Sequence, residues 1–238
     1  MPLKIIAIVP ACNEEKNIAP VIADLRKNQP GIKIVVLNDA STDQTEKVAR
    51  ASGVTVLNLA VNLGIGGAVQ TGFIYARDEK YDIAFQFDGD GQHLASEIDK
   101  LLEPLIRKET DVVIGSRFLE KGGFRSSLAR QAGIRLISLV NKLLTGRKIM
   151  DSTSGFRAFN QKAIAFLAEN YSQDYPEPEA VVQLFRNGFN ILEVPVQMRA
   201  RLSGQSSIKP IHSFYYIIKV LLSNMIGESK HRRKDNDS

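Results

Sequence analysis

The sequence predicts an α/β fold, a mostly parallel sheet with helices on both faces. Three observations carry this. Apolar runs of four to seven residues alternate with segments of helical spacing from residue 3 to about residue 117. The runs are continuously apolar rather than alternating, as strands covered on both faces require. Polar residues gather where the runs end: Asn13 and Glu14, Asn38 and Asp39, Asp88 and Asp90, Arg117. That is the edge where open α/β sheets bind ligands.

The elements follow in order. Residues 3–9 (LKIIAIV) form a strand that ends at Pro10, and residues 14–28 a helix with Ile18, Val21, Ile22 and Leu25 on one face. Residues 32–37 (IKIVVL) are a second strand. Residues 42–52 are a helix that Ser41 or Thr42 could cap. Residues 54–59 form a third strand, residues 64–67 a glycine-rich turn and residues 68–77 a helix. A fourth strand, 83–87 (IAFQF), runs directly into Asp88-Gly-Asp90; a helix over 97–107 and a strand over 111–114 follow. Later come helices at 128–144, 161–170 and 179–187, a short strand after the loop DSTSGFRAF (151–159), and a strand at 191–198. Residues 214–226 predict an apolar helix, followed by the basic run 230–234.

The 238 residues suit one domain over 1–210 with a helical appendage over 211–238. With 44% hydrophobic and 24% charged residues, a packed core is expected and global disorder is not. The net charge of +5 suits an anionic partner without choosing among nucleotide, lipid surface and nucleic acid, and nucleic acid has no other support. The single cysteine, Cys12, rules out an internal disulfide and suits a reducing, cytoplasmic setting. The start of the chain lacks a signal-peptide layout. The 214–226 stretch, interrupted by Lys219 and Asn224, falls short of the roughly 20 residues a membrane span needs.

Asp88 and Asp90, two carboxylates with glycine between them at a strand end, could grip a hard cation such as Mn²⁺ or Mg²⁺ together with substrate phosphates. An isolated Asp-x-Asp is more often a solvated turn; the position after an apolar strand favours the metal. Asp39 could read a base or ribose, or cap a helix. Arg117, Arg130 and Arg201 are candidates for gripping phosphate. Glu177 and Glu179 (PEPE, 176–179) could supply a general base, or could simply open a helix. His93 is a weak candidate near the metal, His212 a structural one.

Seven segments in this order resemble the family 2 glycosyltransferases of GT-A fold, with its Rossmann-like sheet, and among them the dolichyl- and polyprenyl-phosphate mannosyl- and glucosyltransferases. They are VPACNEE (9–15), LNDASTD (37–43), NLGIGG (62–67), FDGDGQH (87–93), GSR (115–117), DSTSGFR (151–157), and EVPV (193–196) with RLSGQS (201–206). The resemblance implies an inverting transfer of sugar from a UDP- or GDP-sugar to a polyprenyl or dolichyl phosphate or to a glycan, in cell-envelope polysaccharide or glycolipid synthesis. It places Pro10, Ala11, Asn13, Glu14, Asp39, Asp88 and Arg201 on the nucleotide sugar. Asp88, Asp90 and Gln92 fall on the metal, with Asp90 catalytic, and Arg117 and Arg130 on the acceptor, Arg135 competing with Arg130 for that place. Two departures stand out. Ser206-Ser207 replaces a usual Ser-Lys, and the acids Glu177 and Glu179 make a hydroxyl acceptor credible beside a lipid phosphate. The apolar C-terminal helix and basic tail suit peripheral contact with the inner membrane face; a core or homo-oligomer interface would take the same helix. Two alternatives remain at this stage: a nucleotidyltransferase that makes nucleotide sugars, and a non-enzymatic membrane-docking α/β module. A nucleotidyltransferase would favour a glycine-rich phosphate loop where Pro10-Ala-Cys-Asn-Glu14 stands.

Overall fold

A computed structural model of the chain describes residues 2–119, 149–172 and 176–199. Seven strands make one sheet: β1 (Ile5–Ala11), β2 (Lys33–Asn38), β3 (Thr55–Asn58), β4 (Ile83–Gln86), β5 (Val112–Ser116), β6 (Arg157–Asn160) and β7 (Ile191–Pro195). Their order is β3-β2-β1-β4-β6-β5-β7. The helices are α1 (Ile18–Asn28), α2 (Thr45–Ala51), α3 (Gly64–Asp78), α4 (Ile98–Ile106) after a 3₁₀ turn, α5 (Gln161–Asn170) and α6 (Pro176–Arg186).

Strands β1 to β4 run parallel, with Ile8 opposite both Val35 and Gln86. β5 and β7 pair in parallel as well. β6 runs against both its neighbours, Gln86 and Ile114 each facing Arg157. The sheet is therefore mixed but mostly parallel. Reversing β6 puts its first residue, Arg157, at the edge where the other strands end, so the loop 149–156 belongs to that edge.

Alternation along β1 divides the core. Ile6 and Ile8 face α3, α5 and α6, together with Phe73, Ile164 and Val181. Ala7 and Val9 face α1 and α4, together with Ile22 and Leu101. Helix α1 buries Ile18, Val21, Ile22 and Leu25, the face its sequence spacing predicts. Between β1 and β4 the chain order reverses, since β2 and β3 lie on one side of β1 and the later strands on the other. The crevice there is the expected ligand position.

Two local expectations are corrected. Residues 64–67 are not a turn; they are the first turn of α3. Further along the same helix a Cβ on Gly72 would lie 2.4 Å from Cγ2 of Ile8. The helix needs glycine to lie close on β1. The capping expectation also changes: α2 begins at Thr45, and Asp43 rather than Ser41 or Thr42 holds its start, accepting the Thr45 amide at 2.9 Å. The expected helices at 128–144 and 214–226, the candidate residues Arg130 and Arg201, and the boundary at residue 210 lie outside the described residues.

Candidate active site

The end of β1 meets the end of β4. The Gly89 amide donates to the Pro10 carbonyl at 3.1 Å, and a Cβ on Gly89 would lie 3.0 Å from that oxygen. Pro10 and Ala11 are buried on the β1 side of this junction, and the acid pair begins on the other.

Beyond Ala11 the β1–α1 and β2–α2 loops are laced together. Asn13 adopts a left-handed backbone, φ 57°. Its Oδ1 accepts the Thr42 amide at 2.8 Å, and its amide donates to Ser41 Oγ at 3.0 Å. The Glu14 amide donates to Thr45 Oγ1, and the Glu14 carboxylate accepts from Asn17 Nδ2 at 2.6 Å. Glu14 is buried and braces its own loop. Asp39 is also buried, and its Oδ1 accepts the amide of Leu63, the residue that caps α3, at 2.7 Å. Asp39 thus braces the start of α3 rather than that of the helix that follows it in sequence, at a terminus that favours negative charge. The base-reading role predicted for it now falls to whatever its carboxylate reaches beyond that bond.

The acid loop has a different character. Asp88, Asp90 and Gln92 are part-exposed, while Gly89, Gly91 and His93 between and after them are buried. Asp88 is held from two sides. Gln86 Nε2 donates to its Oδ1 at 2.9 Å, and its amide donates to His93 Nδ1 at 3.2 Å. The His93 ring stacks on Phe156, with centroids 4.7 Å apart. Burial pushes its pKa below the ordinary value, although Asp88 and Asp90 pull the other way. His93 is therefore a neutral brace. Asp90 folds back on its own loop, its Oδ1 accepting the Gln92 amide at 3.0 Å. Among the described residues no group of three His, Cys, Asp or Glu side chains forms a metal cage. Two part-exposed carboxylates and one amide instead suit a hard cation that keeps sites for phosphates and water.

Arg117 stands at the end of β5 as predicted, but it is not a loose surface arginine. Its Nε and Nη2 grip Asp151 bidentately, at 2.7 Å each, and Nη2 also reaches Thr153 Oγ1 at 3.0 Å. Asp151 is fully buried. Asp151 is placed in turn by Glu193 of β7, whose carboxylate accepts the amides of Met150 and Asp151 at 2.7 and 2.8 Å. Burial disfavours the charge on Arg117, but the bonds and charge of Asp151, with Asp88 and Glu177 further off, outweigh it and raise its pKa. Burial, which disfavours charge on either group, lifts the pKa of Glu193.

Glu177 and Glu179 both open α6. Glu177 is electrically tied to the cluster. Burial raises its pKa, Asp88 adds to the rise, and Arg157 and Arg117 oppose it. Arg157 is itself almost fully buried. Its three nitrogens donate to main-chain carbonyls, to Ser154 and Ser152 at 2.6 Å each and to Glu177 at 2.9 Å. It ties the loop before β6 to the first turn of α6. At the top of that loop Gly155 abuts the acids; a Cβ there would lie 2.8 Å from Gln86 Nε2 and 3.1 Å from Asp88 Oδ2.

The profile of the Glycosyl transferase family 2 matches residues 6–167, about two thirds of the chain, and spans both the nucleotide-side loops and the acid loop. The chain belongs to the family 2 glycosyltransferases. It is 33% identical over 210 residues to the UDP-N-acetylglucosamine–dolichyl-phosphate N-acetylglucosaminyltransferase of Methanococcus voltae, covering 80% of this chain and 83% of that one. It is 27% identical to the undecaprenyl-phosphate mannosyltransferase of Micrococcus luteus, covering 87% and 88%. Among solved structures it superposes on glucosyl-3-phosphoglycerate synthase from Mycobacterium tuberculosis in complex with Mn²⁺, UDP and glucosyl-3-phosphoglycerate. That match has a TM-score of 0.73 at 21% identity, over 94% of this chain and 79% of that one. The fold is thus the GT-A glycosyltransferase fold. The nucleotidyltransferase and the non-enzymatic module are set aside.

The structure thus brings the sequence-predicted candidates Asp88, Asp90, Gln92, Arg117 and Glu177 together around the ends of β4, β5 and β6, with Pro10, Ala11, Asn13, Glu14 and Asp39 at the ends of β1 and β2. No described bond or charge effect draws Glu179 into the cluster. Sequence reasoning missed Asp151, Arg157 and Glu193 as supports. The first two stand inside DSTSGFR, and a charged pair flanking Ser, Thr and Gly between two elements was the available signal. Among the described residues no helix is long and apolar enough to cross a membrane.

Proposed function

We propose that this glycosyltransferase moves a sugar from a nucleoside-diphosphate sugar to a polyprenyl or dolichyl phosphate, with Mn²⁺ or Mg²⁺ at Asp88, Asp90 and Gln92. The observation that carries the acceptor is Arg117, whose guanidinium is fixed by buried Asp151 and lies within electrostatic reach of Asp88 and Glu177. A cation held rigidly beside the acid loop is suited to draw a phosphate acceptor toward the donor. The dolichyl- and undecaprenyl-phosphate substrates in the relatives' names support the same choice.

The metal fits the residues present: part-exposed carboxylates, each already oriented by a neighbour, with room for phosphate oxygens. Such an ion neutralises charge on the leaving nucleoside diphosphate. Pro10, Ala11 and the Asn13–Thr42 lattice form the wall on which the nucleotide would lie, with Asp39 and Glu14 bracing it from behind. Arg201 is assigned to the donor diphosphate by its motif RLSGQS (201–206), and Arg130, in competition with Arg135, to the acceptor phosphate by the family resemblance alone. A phosphate oxygen is already nucleophilic, and one displacement would invert the anomeric centre.

A second reading rests on Glu177. Its raised pKa, in a site with Arg117 and Asp88, suits a group that takes a proton from a sugar hydroxyl, and a glycan acceptor would need that help. Peripheral contact with an inner membrane face accompanies the lipid-phosphate reading.

The test has two stages. Thermal shifts with UDP-, GDP- and dTDP-sugars, each with and without Mn²⁺, should show metal-dependent stabilisation by one of them. A well-folded protein stabilised by none would remove the donor assignment. With that donor radiolabelled, transfer to polyprenyl phosphate in detergent should exceed transfer to oligosaccharide, and Asp90→Ala should abolish it while preserving the melting temperature. Label appearing only in oligosaccharide would shift the conclusion to the second reading.

A further inference from the structure

Beyond β7 the chain crosses the acid loop. His93 and Met198 form an isolated antiparallel bridge. Arg199 then makes two contacts with the main chain of that loop. Its amide donates to the Gln92 carbonyl at 3.0 Å, and its Nε donates to the Gly91 carbonyl. Its Nη2 lies 3.5 Å from Asp24 Oδ2 on α1. Asp24 is itself engaged: Asn28 Nδ2 donates to its Oδ1 at 2.9 Å, and the Ala95 amide approaches its Oδ2 at 3.5 Å.

These bonds fall on the weakest part of the loop. Asp88-Gly-Asp90-Gly-Gln92 contains two glycines in five residues, and Gly91 has φ +77°. Glycine leaves such a loop many conformations unless something holds it. The Asp90 carboxylate takes its orientation from the Gln92 amide. That amide belongs to the peptide that begins with the Gly91 carbonyl, the group Arg199 holds. The guanidinium therefore fixes the peptide that aims Asp90, and its other end is anchored on α1, outside the loop.

We infer that Arg199 is a positioning residue for the divalent cation, keeping Asp90 and Gln92 in the geometry of the metal-bound loop through the Gly91 and Gln92 carbonyls. It touches neither metal nor substrate. This rests on the assignment of the metal to Asp88, Asp90 and Gln92. Loss of such an outer support commonly weakens metal affinity by about 10- to 100-fold.

The test reads the metal directly. Free Mn²⁺ is followed by electron paramagnetic resonance in titrations of the full chain with saturating UDP, for the native protein, Arg199→Ala, Arg199→Lys and Asp90→Ala. The expected result is Mn²⁺ binding about tenfold weaker in Arg199→Ala, with partial recovery in Arg199→Lys, whose ammonium can reach one acceptor but not span to Asp24. UDP affinity without metal and the melting temperature, both of which a general loss of structure would lower, should change little. Native-like Mn²⁺ affinity in Arg199→Ala, with Asp90→Ala impaired, would overturn the role of Arg199 and leave the metal site standing. Equal Mn²⁺ affinity in the native protein and Asp90→Ala would overturn the metal site itself, and this inference with it. Equal losses of metal-free UDP affinity and of Mn²⁺ affinity in Arg199→Ala would reduce Arg199 to a structural residue.

Discussion

Gly155 shows how much of the site depends on a missing atom. Its φ lies outside the left-handed region, so any residue could adopt its backbone, and space is the constraint. An alanine there would bring Cβ to 2.8 Å from Gln86 Nε2 and 3.1 Å from Asp88 Oδ2. Gln86 is almost fully buried, whereas Asp88 keeps about a third of its side chain in solvent. Asp88 is therefore the group that yields. Gly155→Ala should lower kcat at least about tenfold, because a carboxylate displaced by a fraction of an ångström loses its alignment, while the melting temperature falls little. A variant with native turnover would show that Asp88 tolerates displacement. Sequence reading reached Asp88, Asp90 and Arg117 because each follows an apolar strand directly. It did not reach Asp151 or Glu193, which act through Arg117 from other segments, nor Arg157, whose place at the end of DSTSGFR marks the segment without showing that the side chain is buried and bonded to three carbonyls.

At the scale of the element, hydrophobic runs located all five early strands, and α5 was placed to the residue, since Asn160 caps it through the Ala163 amide. Two features escaped. The direction of β6 is not encoded in Arg157-Ala-Phe-Asn160; it follows from the chain entering that strand at the site edge. The start of α3 was misplaced because glycine is a poor helix former, and tertiary packing overrode the propensity. Packing can be tested against propensity at Gly72, further along the same helix. Alanine would favour the helix by roughly 1 kcal/mol. Its Cβ would also lie 2.4 Å from Cγ2 of Ile8, itself fully buried and unable to move aside. Overpacking of this kind costs about 1–3 kcal/mol and should win. Urea unfolding should show Gly72→Ala to be less stable than native, with Ile8→Ala relieving part of the loss in the double variant. Equal stability of Gly72→Ala and native would mean that α3 does not press on β1 there.

The whole molecule sets the balance between a stable fold and a charged site. Glu177 opens α6 in a place where burial disfavours its ionised form, and the opposing charges of Arg157 and Arg117 do not fully compensate. Its folded pKa lies above the ordinary value of 4.5. Between those two values the native state holds a proton that the unfolded chain has released. Stability from this group is thus complete below about pH 4.5 and is lost as pH rises through the folded pKa. Glu177→Gln removes the titration and keeps the size. The variant should match native stability near pH 4.5 and become the more stable of the two as pH rises toward 8, by about 1.4 kcal/mol for each unit of the shift. Chemical denaturation at a series of pH values measures this, and a constant difference across the range would deny the buried charge. Turnover separates the two acceptor classes in the same variant. A sugar hydroxyl needs a proton acceptor, so kcat would fall by about 10²–10⁴-fold. A lipid phosphate arrives already ionised and needs no proton acceptor, so kcat should fall far less.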